Sequence, residues 1–116
     1  MSSDKEYTSA EDVLQKISTY NDDFRATAEK LHETIMNSGV TLYPRLWYGM
    51  PGYAKTPTGS VQVYFRKDKY ITVGQTESSH IEFDPQTKGQ SVAWNFTEIN
   101  DEALAKVVDI VRNAVK

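Results

Sequence analysis

The chain contains no cysteine. A disulfide framework, a thiolate metal site and a cysteine nucleophile are therefore all excluded. Histidine is nearly as scarce: His32 and His80 stand far apart, with no H-E-x-x-H or H-x-H spacing, so no metal motif is built from them. His32 reads as a surface or boundary residue of a helix, and His80 falls in a loop. No segment approaches the roughly 18 apolar residues of a membrane span. The start, Met1 to Thr8, is polar and mixed in charge where a signal peptide has a basic start and an apolar run. These features predict a cytoplasmic protein without a membrane partner. A Gly-rich phosphate loop is also missing, because Gly49 and Gly52 enclose Met50 and Pro51, and Pro51 has no amide to offer a phosphate. With no nucleophile beside a base and no convergent ligand motif, the expectation is a non-enzymatic protein.

The chain is 116 residues long, with 39% hydrophobic and 25% charged residues, which suits one soluble globular domain with its own core. The formal net charge is −3, unevenly spread. Residues 1 to 39 and 70 to 116 are acidic on balance, whereas Arg45, Lys55, Arg66, Lys67 and Lys69 in the middle face only Asp68. A sequence pI near 5.3 points away from nucleic acid, whose binders carry a denser basic stripe.

Residues 1 to 8 lack periodicity and predict a disordered tail, with one domain over residues 9 to 116. Ser9 can cap a short helix that has Glu11 and Asp12 in its first turn and Val13, Leu14 and Ile17 as its apolar stripe. Asn21 or Asp22 can cap a second helix to about Ser38, with Phe24, Ala28, Leu31 and Ile35 along one face and Gly39 ending it. From Val40 the period falls to two. Strands are expected at 42 to 48, 60 to 66, 70 to 74 and 91 to 97, with 77 to 83 the weakest candidate. Asn100 caps a last helix from about Asp101 to Ala114, striped by Leu104, Val107, Val108, Val111 and Val115. The pattern is α+β: a single antiparallel sheet of about five strands, with N-terminal helices and a C-terminal helix packed on one face.

The densest chemistry lies in residues 42 to 53, which gather four aromatic rings, Arg45, Pro44, Pro51 and two glycines. They read as a strand running into a constrained turn at Gly49-Met50-Pro51. Two readings compete for the rings. Trp47, Phe65, Trp94 and Phe96 can fill the core; alternatively, rings on the uncovered sheet face can line a groove with arginines at its edge. Alternation makes Tyr48, Met50, Tyr53, Tyr64, Arg45 and Arg66 the candidate binding residues for a small-molecule or protein partner.

Tyr48-Gly49-Met50-Pro51-Gly52-Tyr53 resembles the Tyr/Trp-Gly-Met-Pro-x-Tyr signature of the YdhG-like family, small bacterial α+β proteins grouped as a domain of unknown function. The order of elements over residues 10 to 116 is similar too. Two stretches depart from it: Thr19-Tyr20-Asn21-Asp22 stands where the family often has Leu-Pro, and residues 75 to 91 find no match. The resemblance implies a frataxin-like fold and, as a second function, an intracellular iron chaperone. In this chain Asp22, Asp23, Glu29 and Glu33 on the second helix are the carboxylates that would hold iron weakly; no other cofactor is expected.

Overall fold

A computed structural model describes residues 9 to 116; the predicted tail, residues 1 to 8, lies outside the described residues. The helices start where polar residues satisfy free amides. The Asp12 carboxylate accepts from the Ser9 backbone amide at 2.6 Å and from its hydroxyl at 3.1 Å, opening α1 (Ala10–Ser18). Asn21 precedes α2 (Asp22–Met36), and the Asn100 side chain accepts the Ala103 amide at 2.9 Å to open α3 (Asp101–Ala114).

Between α2 and α3 the chain runs as an antiparallel meander in the order β1 (Tyr43–Trp47), β2 (Met50–Ala54), β3 (Val61–Lys67), β4 (Ile71–Gln75), β5 (Ala93–Phe96). The α+β prediction of one five-stranded sheet with terminal helices on one face is what the chain forms. The fifth strand is supplied by Met50–Ala54, however, and residues 77 to 83 form none. Gly49-Met50-Pro51 is thus not the turn. Trp47 pairs with Met50, and the two residues between them have φ of +51° (Tyr48) and +76° (Gly49). Positive φ at both positions is the tight turn whose twist matches a hairpin. Pro51 sits inside β2 opposite Leu46, and the ladder to β3 starts one residue later at Gly52, so its missing amide interrupts nothing.

One sheet face packs on the helices. Tyr53, Val63, Phe65, Ile71 and Val73 meet Val13, Ile17, Phe24, Leu31, Ile35, Val107, Ile110 and Val111 in a continuous core. The Phe24 ring meets Phe65 edge-on at 6.4 Å, and each such buried aromatic contributes about 1.5–3 kcal/mol by leaving water. Trp94 and Phe96 pack at the core's margin, but Trp47 lies outside it. Leu14, expected in the stripe of α1, is 51% exposed, while Ala103, Ile110 and Ala114 join Val107 and Val111 beneath α3.

Candidate functional site

Among the described residues the other face of the sheet carries no helix, and its register assembles the site. Arg45 pairs with Gly52, Gly52 with Tyr64, Tyr64 with Gly74, and Gly74 with Ala93, forming one row across all five strands. Tyr64 therefore has a glycine on each side. Its ring lies over Gly74, where an added Cβ would come within 2.5–2.8 Å of the phenol. At Gly52 an added Cβ would stand 3.1 Å from the Trp47 Cβ and 3.0 Å from Val61 Cγ1. Gly74 makes room for the Tyr64 ring, which covers the backbone it leaves bare, and Gly52 lets Trp47 and Val61 approach. Trp47 and Tyr64 lean together at 4.9 Å with 34° between their planes, and Tyr48 meets Trp47 edge-on at 4.8 Å.

These residues border a groove of about 520 Å³ lined by Arg45, Trp47, Val61 and Tyr64 on the sheet side, with Ser60, Gln75, Thr76, Glu77 and Ser78 along the rim. The rim is tied down. The Thr76 amide donates to the Gln62 carbonyl at 3.0 Å, its hydroxyl donates to the Val61 carbonyl, and the Ser79 amide donates back to the Thr76 carbonyl at 3.1 Å. A register shift between Tyr53 and Ala54 bends this end of β2. A planar group can lie against the Trp47 and Tyr64 rings while the Arg45 guanidinium meets an anion and the rim hydroxyls accept or donate.

The structure separates the residues nominated from sequence. Arg45 and Tyr64 line the groove, joined by Trp47, which had been weighed as core. Tyr48 stands at the hairpin tip, 85% exposed. Met50 and Arg66 border a different depression at the opposite end of the sheet, beside Tyr20, Phe24 and Gly49. Tyr53 is a correction: it lies under the helices, 0% exposed, opposite Val63 and Pro44. Once 50 to 54 is a strand, alternation forces the result, because Gly52 on the bare face turns Tyr53 inward. There its hydroxyl meets His32 Nδ1 at 2.7 Å. The rim residues 75 to 78 were missed, since only the hydrogen bonds to β3 bring them to the rings.

The acidic face of α2 is partly engaged. Asp22 pairs with Arg25 at 2.7 Å and Asp23 with Lys67 at 3.1 Å, while Glu29 and Glu33 face solvent. Among the described residues no three of His, Asp and Glu come together in a way that would hold a metal ion. Also among the described residues, no helix is long and apolar enough to cross a membrane.

No family model, no curated protein and no solved structure matches this chain.

Proposed function

We propose that the protein is a non-enzymatic binding module that holds a small planar molecule bearing a carboxylate or phosphate on the uncovered face of its sheet. The observation that carries this reading is the Trp47–Tyr64 ring pair, with Tyr64 laid over Gly74 and Trp47 rooted beside Gly52, and Arg45 in the same groove. The rings supply the stacking surface and Arg45 the charge. Tyr48 supports it further: a bulky residue held at φ +51° and left exposed is an uncommon use of an aromatic ring, and it lies edge-on to Trp47. Neither histidine borders the groove, so its serine and threonine hydroxyls stand without an imidazole base beside them. YdhG-like membership, carried by residues 48 to 53, and a cytoplasmic location, in keeping with a cysteine-free composition, belong to the same reading. The acidic face of α2 has no part in it.

The test is a titration with nicotinate, salicylate and adenosine monophosphate, followed by amide chemical shifts on the labelled protein. Saturable shifts are expected at residues 45, 47, 64 and 76 to 78 with at least one probe. Arg45→Gln should weaken that binding roughly tenfold or more, and Trp47→Leu likewise. If the shifts fall elsewhere, or if both variants bind as the parent does, the groove is not the site.

A further inference from the structure

A second cavity, of about 390 Å³, opens on the helix side of the sheet, between α3, Trp94 of β5 and the connection from β4 to β5. The connection is fixed over it. The His80 amide donates to the Ala114 carbonyl at 2.7 Å, using an acceptor left free at the end of α3, and the Gln75 amide donates to the Val92 carbonyl at 2.8 Å. Gln75 itself is only 6% exposed. Its Nε2 donates to Ser79 Oγ and to the His80 carbonyl, both at 2.9 Å, which leaves Oε1 as its remaining hydrogen-bonding atom beside the cavity.

The lining balances its charges. Lys106 on α3 and Lys116 just beyond its end stand against Asp109 and Glu82, and His80 Nε2 is 2.8 Å from Glu82. Such a wall sets up little net field to draw an ion of either sign. It is instead rich in neutral or planar hydrogen-bonding groups. Asp109 and Asn113, one turn apart on α3, lie on the same wall and make no side-chain hydrogen bond among the described residues. The apolar part is the Trp94 ring, with Ile110 beside it and Lys106 Nζ over the ring at 5.7 Å from its centroid. A flat apolar surface beside side-chain amide and carboxylate atoms matches a ligand with one C–H face and a rim of hydroxyls. Each vicinal hydroxyl pair can donate to a carboxylate or accept from an amide.

We propose that this cavity binds a small neutral cyclic polyol, a monosaccharide or cyclitol, with its C–H face on Trp94 and its hydroxyls on Asp109, Asn113 and Gln75. The site is separate from the groove on the open face, although Gln75 borders both.

The chain has two tryptophans, so Trp47→Phe leaves Trp94 as the sole indole reporter. That variant is titrated with glucose, galactose, mannose and myo-inositol, and in parallel with glucose 6-phosphate and lysine. At least one neutral polyol is expected to change Trp94 emission saturably in the millimolar range. Asn113→Ala and Asp109→Asn, both at exposed positions, should each weaken that response about tenfold, whereas Arg45→Gln should leave it unchanged. No saturable response to any neutral polyol from the folded variant overturns the proposal. So does a response confined to the charged probes, or one that survives both α3 substitutions. The open-face reading is untouched by any of these results, because its titration uses planar anions and is read at residues 45, 47, 64 and 76 to 78.

Discussion

Tyr53 and His32 form one unit at the top of the core. Burial lowers the His32 pKa from its ordinary 6.5, and burial, helped by Tyr20, raises that of Tyr53 well above 10.0. The phenol keeps its proton, and its oxygen lies 2.7 Å from His32 Nδ1, where a neutral imidazole with its hydrogen on Nε2 can accept it. As pH falls the unfolded chain takes up the histidine proton first. The stabilisation from a neutral His32 is thus complete above pH 6.5 and is lost as pH drops from 6.5 through the lower folded value. The melting temperature is expected to decline between pH 7 and pH 5, and to decline less steeply in His32→Gln, measured by calorimetry in matched ionic strength. A parallel decline in both proteins would assign the acid sensitivity to other groups. At the same position Tyr53→Phe should cost about 1 kcal/mol through the lost hydrogen bond, and Tyr53→Ala about 3–5 kcal/mol through the cavity it leaves. Arg66→Ala, on an exposed side chain 3.9 Å from Asp68, should stay within about 0.5 kcal/mol in the same denaturant titrations. Sequence placed Tyr53 and Arg66 on a common surface; the denaturant series should separate them.

Among the elements, the central strands show how side-chain size is exchanged between neighbours. Gly74 and Gly52 have no local reason to be glycine: neither has the positive φ seen at Gly39 and Gly49. Their reasons lie across the strands: Gly74 makes room for the Tyr64 ring, and Gly52 for Trp47 and Val61. Gly74→Ala should therefore cost about 1–3 kcal/mol, because the new methyl must push the phenol off its seat. In the background Tyr64→Ala the same change should cost much less, giving a coupling of at least about 0.5 kcal/mol in a double-mutant cycle. Equal costs in both backgrounds would show that the ring does not occupy that space. None of this was legible from the chain read along its length. Helix faces were: Phe24, Ala28, Leu31 and Ile35 were assigned to the core from spacing alone and are all buried there. The β1–β2 hairpin was hidden because Tyr48 stands where Asn or Asp usually marks such a turn, and because Pro51 argues against a strand unless its free side is known.

At the scale of the molecule, the three helices of the described residues cover one face of the sheet and among those residues leave the other to its own side chains, so the two cavities lie on opposite sides of one layer. The basic middle of the chain is the sheet, and its pairing with the acidic ends is visible in Lys67 and Asp23. With Asp22 and Asp23 engaged and no convergent carboxylate set among the described residues, anaerobic Fe²⁺ is expected to leave the melting temperature unchanged. A saturable upward shift, abolished by combining Asp22→Asn, Asp23→Asn, Glu29→Gln and Glu33→Gln, would instead give that face a metal-binding role.

By itself the sequence determined which segments are helical, the whole buried stripe of α2 and part of those of α1 and α3, as well as the choice of an α+β layer. Those properties follow from periodicity and capping, which act within a few residues. Only the tertiary structure decided that Tyr53 turns inward while Trp47 and Tyr64 share the open face with Arg45, and that residues 75 to 91 wall both cavities. Strand register and its shift between Tyr53 and Ala54 set these outcomes, and both depend on hydrogen bonds between residues distant in the chain.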